Sequence, residues 1–96
     1  MIILITVGRY VKLILRKRNM TQMDLLRKIN DLNLGNGKEL SRCHLNNFIN
    51  ETGGISFVWA RRIEIALELE KYSLVKMLGI PTEQEWKKIE EVKPYV

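Results

Sequence analysis

Cysteine and histidine are scarce in this sequence, and each scarcity excludes a kind of site. The single cysteine, Cys43, rules out a disulfide within the chain and gives no sign of an oxidising compartment. The single histidine, His44, has no partner residues at the spacing of a zinc site, so we expect no metal site. Adjacent helical residues point about 100° apart. Cys43 and His44 are therefore not expected to act as a nucleophile and its base.

Long apolar runs and catalytic motifs are lacking as well. The opening run MIILITV is too short to cross a bilayer, and no basic residue precedes it as in a signal peptide. The sequence has no glycine-rich phosphate loop, no pair of carboxylates on one predicted face and no metal-spaced cluster. We therefore expect a cytoplasmic protein that is not an enzyme, uses no cofactor and does not bind a membrane.

What the chain does have is positive charge, and most of it lies in the first half. The 96 residues are 46% hydrophobic and 28% charged, which predicts a single domain over 1–96. Residues 1–50 hold nine Lys and Arg against three acids, whereas 51–96 hold seven against eight. This asymmetry indicates an anionic partner for the first half, with a merely solvated basic surface as the alternative.

Apolar residues recur at helical spacing along the whole chain after residue 7, which predicts an all-α fold. We expect a compact bundle of five to six helices, with a core unit over 7–79 and an appended C-terminal helix at 82–92. The glycine- and asparagine-rich segment 33–38, NLGNGK, predicts a loop. The predicted helices span 7–18, 22 to between 30 and 34, 42 to about 51, 57–70, 73–79 and 82–92. The predicted N-caps are Thr21, Ser41, Ser56 and Thr82.

The same periodicity predicts which side chains are buried. The predicted core residues are Val7, Val11, Ile14, Leu15, Leu25, Leu26, Ile29, Leu45, Phe48, Ile49, Val58 or Trp59, Ile63, Ala66, Leu67, Leu69, Trp86 and Ile89. By contrast, the charged segments RRIE and EWKKIEE, at 61–64 and 85–91, are predicted to be solvated faces with charge pairs at helical spacing.

Three segments, in this order, resemble a known family. They are VGRYVKLILRKRNMTQMDLL, SRCHLNNF and ISFVWARRIEIALEL, and together they fall within residues 7–69. They resemble parts of the Cro/phage-repressor type helix-turn-helix family, a small bundle that binds operator DNA. The first segment resembles the family's first helix and the start of its second helix. The second segment resembles the recognition helix, and the third resembles the fourth helix. One departure is the distance from Leu26 to Ser41, which predicts a lengthened turn between helices two and three.

The resemblance implies a set of DNA contacts. Arg42, Cys43 and Asn47 match base-reading positions, His44 matches one nearer the groove wall, and Gln22 matches a phosphate contact. Asn46 lies four residues after Arg42 and shares its helix face. Arginine can bind guanine and asparagine adenine in the major groove. Nonspecific phosphate contacts are expected from Arg16, Lys17, Arg18, Arg27 and Lys38.

These features together predict a sequence-specific DNA-binding regulator of transcription, of the small phage, prophage or mobile-element repressor kind. It would bind double-stranded operator DNA as a homodimer, through either the apolar opening run or the C-terminal helix. The alternative is a protein-interaction module on the same fold, such as an antitoxin-like or antirepressor partner.

Overall fold

The computed structural model describes residues 6–35, 37–52 and 56–93, and within these ranges the regular structure is helical throughout. The all-α prediction is therefore confirmed, with six helices in the described residues. They are α1 (Val7–Lys17), α2 (Gln22–Asp31), α3 (Arg42–Ile49), α4 (Phe57–Ala66), α5 (Ser73–Leu78) and α6 (Glu83–Glu90).

Four helices begin at the predicted Ser and Thr residues. In each case the side-chain oxygen of the cap accepts a hydrogen bond from the backbone N–H three residues later, which satisfies a donor that the first turn leaves free. Thr21 with Asp24 and Thr82 with Glu85 form reciprocal capping boxes. Thr6 caps α1 in the same manner.

The predicted ends of α4 and α3 lie beyond the observed ends, by four residues in α4 and by about two in α3. Helix α4 was expected to continue to Glu70 but stops at Ala66, and α3 stops at Ile49 rather than near Glu51. Beyond each stop a glutamate adopts left-handed backbone, with φ of 55° at Glu68 and 59° at Glu51. The residue after it then donates its N–H to a carbonyl five positions back, Leu69 to Glu64 and Thr52 to Asn47. This Schellman arrangement satisfies the last carbonyls without glycine.

The buried hydrophobic side chains form one cluster to which all six helices contribute. Most of the predicted core residues belong to it, while Ile14, Leu69 and Trp86 are half-buried and pack against it. Of the two candidates at 58 and 59, Trp59 is the buried one. The cluster also contains residues that helical periodicity did not single out: Leu34, Phe57, Ala60, Leu74, Val75 and Val92.

Helix α3 packs against α1 and α2, while α4 packs against α2, α5 and α6. The α1–α3 contact is close enough to require a glycine. A Cβ at Gly8 would lie 1.9 Å from the carbonyl oxygen of Ile49, well inside van der Waals contact. The side of α3 that faces α1 and α2 is thus held tightly, and its other side is left outward.

The prediction of a solvated face for RRIE is wrong at Glu64, which is 0% exposed. Its carboxylate accepts hydrogen bonds from the backbone N–H groups of Tyr72, Leu74 and Val75, at 2.8 to 2.9 Å. Tyr72 is the N-cap of α5 but offers no side-chain cap. Glu64 therefore supplies the acceptors that the start of α5 needs, and Arg61 pairs with it at 3.1 Å.

The neighbouring arginine is also drawn into the fold. The Arg62 guanidinium lies over the Trp59 ring, 5.1 Å from its centroid, and its Nε donates to the carbonyl of Leu34 at 3.3 Å. Burial lowers the pKa of Arg62 from its ordinary value. The second charged segment, 85–91, has mostly exposed side chains as predicted, but none of its side chains forms an ion pair with another described residue.

None of the described helices is both long enough and apolar enough to cross a membrane. The apolar opening run, one of the two predicted dimer contacts, lies mostly in residues 1–5, outside the described residues.

Candidate nucleic-acid interface

Five of the six predicted site residues lie on α3, and all five are exposed. Leu45, Phe48 and Ile49 turn into the core, so the polar residues between them are displayed on the outside. The exposed set, here called the α3 flank, is Arg42, Cys43, His44, Asn46 and Asn47. The first turn of α3 contains no acid. The sequence expectation of an outward, acid-free polar flank is therefore met.

Two members of the α3 flank keep hydrogen-bonding groups free. Arg42 forms no side-chain hydrogen bond or ion pair with the described residues. The Asn46 amide oxygen accepts from Asn50 at 3.0 Å, and the Asn50 oxygen in turn accepts from the Lys12 ammonium at 3.1 Å. The Asn46 amide nitrogen has no partner among the described residues. The Arg42 guanidinium and the Asn46 amide nitrogen can thus bind a ligand without first breaking a hydrogen bond within the protein.

The other members already use some of their hydrogen-bonding groups within the protein. The Asn47 oxygen accepts from the Thr52 hydroxyl at 3.2 Å, and its amide nitrogen lies 3.9 Å from the Cys43 sulfur. His44 Nδ1 shares a hydrogen bond of 2.9 Å with the hydroxyl of Ser41. To bind a base through its amide, Asn47 has to exchange these bonds for new ones, which costs part of what the new bonds contribute.

The sixth predicted site residue, Gln22, lies apart from the α3 flank at the first position of α2 and is half-exposed. Its helix end carries an acid, because Asp24 belongs to the capping box. Hydrogen bonds from the backbone N–H and then the side chain of Thr21 hold the pKa of Asp24 below its ordinary value. The carboxylate is therefore charged at neutral pH and opposes a phosphate at this helix end.

The long connection between α2 and α3 runs from Leu32 to Ser41 and is fastened at its far end. The side chain of Asn30 binds both backbone groups of Leu40: its oxygen accepts from the N–H at 2.9 Å, and its nitrogen donates to the carbonyl at 3.3 Å. This pair of hydrogen bonds fixes the point at which the chain enters α3.

The same connection is fastened in the middle. Leu34 is buried, and its carbonyl accepts the bond from Arg62 on α4. The side chain of Asn33 accepts from the N–H of Gly37 at 2.9 Å. A Cβ at Gly35 would lie 2.3 Å from the carbonyl oxygen of Lys38, so only glycine fits there. The connection is therefore anchored to α2 and α4 and leaves the α3 flank exposed.

Comparisons of the chain with protein-family models, with curated proteins and with solved structures found no match. The resemblance to helix-turn-helix repressors therefore stays a prediction, and function has to be inferred from the geometry of the chain itself.

The cations expected to bind phosphate differ in how free they are. Arg16, Lys17, Arg27 and Lys38 are exposed. Arg18 is exposed as well, but its guanidinium donates to the carbonyl of Leu67, the C-cap of α4, and so helps to hold two helices together. Lys12 was not among the cations expected to bind phosphate, and its contact with Asn50 joins α1 to the end of α3. Only the tertiary structure reveals this contact, because 38 residues separate the two.

Among the described residues, no group of three or more His, Cys, Asp or Glu side chains is close enough to hold a metal ion. The α3 flank offers hydrogen-bonding groups and positive charge. The flank carries one arginine and two amides, and Asn50 beside it adds a third amide. The ammonium of Lys12 lies nearby. These groups suit an anionic partner that forms hydrogen bonds.

Proposed function

We propose that the protein is a sequence-specific DNA-binding regulator of transcription that reads the major groove with α3. The observation that carries this proposal is the exposed, acid-free start of α3, with the Arg42 guanidinium unengaged among the described residues. The major groove admits an α-helix and presents the N7 and O6 acceptors of guanine, which an arginine can bind with two donors.

The structure suggests how the parts would share this task. Arg42, at the first position of α3, reaches a guanine, and Asn46, one turn later, reaches a neighbouring base through its free amide nitrogen. Gly8 and Asn30 fix α3 against α1 and α2, which limits its freedom to tilt in the groove. Exposed lysines and arginines supply phosphate contacts that set affinity but carry no sequence information.

We further propose that the protein acts without chemistry and without a cofactor, in the cytoplasm. A homodimer would occupy two half-sites of an operator about one helical turn apart and so exclude polymerase from a promoter. The absence of acid on the α3 flank and the basic first half of the chain support a DNA partner. A small repressor of a phage, prophage or mobile element fits these properties.

Footprinting on the DNA upstream of the protein's own gene tests the proposal. We expect protection of a short two-fold site at about 50 mM salt, and affinity that falls by orders of magnitude between about 50 and 200 mM salt. Random duplex of equal length is the control. Equal affinity for the upstream DNA and the random duplex would refute sequence-specific regulation.

A protein-interaction module remains the second candidate, and one observation favours it. Ile80, between α5 and α6, is 94% exposed, and Met77 on α5 is 42% exposed. Exposed apolar surface is a feature of many sites of protein contact. If an antitoxin-like or antirepressor contact is the main function, Ile80→Ser should abolish partner binding while Arg42→Ala leaves it intact. Such binding should barely respond to salt, unlike binding to DNA.

A further inference from the structure

Helix α1 carries an exposed basic stripe, of which only Arg16 was expected from the sequence to bind phosphate. Arg9, Lys12, Leu13 and Arg16 recur at positions i, i+3, i+4 and i+7, so they lie on one face of the helix, here called the α1 ridge. All four are exposed. Helix α1 itself contains no acid, and the three cations form no ion pair with the described residues.

The α1 ridge and the α3 flank form one continuous surface. Lys12, in the middle of the ridge, donates to Asn50, and Asn50 donates to Asn46 on the flank. The close approach of Gly8 to Ile49 holds the two helices in this relation. A duplex whose bases contact Arg42 and Asn46 therefore has the α1 ridge beside it, at the far end of α3.

One acid lies near this junction. The Glu51 carboxylate is 3.5 Å from the backbone nitrogen of Gly8, in the first turn of α1, and thus at one end of the ridge. Against it stand the positive charges of Arg9, Lys12 and Arg16, so the ridge remains positive overall. The N–H of Gly8 also disperses part of the Glu51 charge by hydrogen bonding to it.

The remaining face of α1 argues against a membrane as the partner. Val7, Val11 and Leu15 are buried in the core, so Leu13 is the one apolar side chain that the ridge exposes. Interfacial helices instead bury a broad apolar face in the lipid. A single leucine among three cations suits a sugar–phosphate backbone, where it can pack against deoxyribose while the cations bind phosphates.

We propose that the α1 ridge binds the phosphate backbone next to the bases that α3 reads, which makes α1 a second DNA-contacting helix. This inference rests on the proposed function, because it concerns the same complex. It assigns the phosphate contacts to Arg9, Lys12 and Arg16 and gives none to Gln22, whose helix end carries Asp24.

Salt dependence of operator binding tests the inference. The ridge variant is Arg9→Gln, Lys12→Gln and Arg16→Gln together, and the matched control is Lys76→Gln, Lys87→Gln and Lys88→Gln, three exposed lysines of α5 and α6. Both variants lose the same charge. The slope of log K against log salt is negative, and each lost phosphate contact makes it less steep by about 0.9. Between about 50 and 200 mM salt, the fold-loss of affinity should therefore be roughly 40 times smaller for the ridge variant than for wild type. The control variant should show the same fold-loss as wild type.

Circular dichroism should show both variants folded, since all the substituted side chains are exposed. If the ridge variant keeps the wild-type slope, or shifts no more than the control, the ridge proposal is overturned. If that variant still prefers the operator while Arg42→Ala does not, the proposed function is still supported. If wild type shows no preference for any duplex, both proposals fall together.

Discussion

The carboxylate of Glu64, on α4, accepts a hydrogen bond at 2.9 Å from the backbone N–H of Val75, eleven residues further along the chain. It also accepts from Leu74 and Tyr72, so one buried side chain satisfies three backbone donors at the start of α5. Helix α5 has only six residues, too few to be stable alone. The α4–α5 corner therefore depends on this carboxylate.

Replacing Glu64 with Gln should destabilise the protein by about 2–4 kcal/mol, because the amide nitrogen cannot accept and leaves buried N–H groups unsatisfied. Urea unfolding at neutral pH measures the change. The matched control is Glu70→Gln, an exposed glutamate, which should shift the free energy of unfolding by no more than about 0.5 kcal/mol. Equal effects of the two substitutions would contradict the capping role of Glu64.

Gly8→Ala separates close helix packing from helix propensity. Propensity alone predicts that alanine stabilises a helix interior by up to about 1 kcal/mol. The new Cβ, however, would lie 1.9 Å from the carbonyl oxygen of Ile49, so α1 and α3 must move apart. We expect a net destabilisation of about 1–3 kcal/mol in thermal or urea unfolding. Stabilisation would mean that the two helices are not in close contact at this point.

The capping box of α2 predicts a specific dependence of stability on pH. The pKa of Asp24 is lower in the folded protein than its ordinary value of 3.8. Its stabilising contribution is therefore complete above that value and is lost as pH falls through the folded pKa. The stability difference between wild type and Asp24→Asn should be largest at about pH 5 and should shrink towards about pH 2.

Urea unfolding of both proteins at the two pH values tests this, since the titration of the other carboxylates is common to both. The control is Asp31→Asn, an exposed residue of the same helix whose side chain has no hydrogen bond to the described residues. If the free energies of unfolding of wild type and Asp24→Asn differ by the same amount at about pH 5 and at about pH 2, the capping box is contradicted.

Arg42→Ala should reduce affinity for the operator by about 1–3 kcal/mol, the contribution of a good bidentate contact with guanine. Affinity for random duplex should fall much less, because one cation adds only about one released counterion. Competition gel shifts measure both quantities. The control is Lys76→Ala, an exposed cation on α5. Equal losses on operator and random DNA would make Arg42 a phosphate contact instead of a base reader.

Signals that act within one helical turn are visible in the sequence. Each Ser or Thr cap binds an N–H only three residues away, so Thr21, Ser41, Ser56 and Thr82 marked the starts of α2, α3, α4 and α6. Helix ends were less accurate, because Glu51 and Glu68 adopt a left-handed conformation for which glutamate has no intrinsic preference. At the end of α4, Leu69 follows Glu68 and packs against the core, so a tertiary contact and not only the residues of the helix decides where α4 ends.

The candidate site divides in the same way. Helical spacing was enough to predict that Leu45, Phe48 and Ile49 turn inward and that Arg42 and Asn46 turn outward. Which of the outward groups are free was not predictable. The bonds of Asn47 with Thr52 and of Asn50 with Lys12 depend on how α3 ends and on its contact with α1.

The sequence by itself determined the helical class, the helix starts and the polar face of α3, because these depend on the 3.6-residue period and on caps a few residues away. Only the tertiary structure decided that Glu64 is buried, that Asn30 holds Leu40, and that the α1 ridge adjoins α3. The physical reason is that these contacts join residues 8 to 38 positions apart. Whether a polar group is exposed or satisfied at such a distance depends on how the helices pack, which local periodicity does not encode.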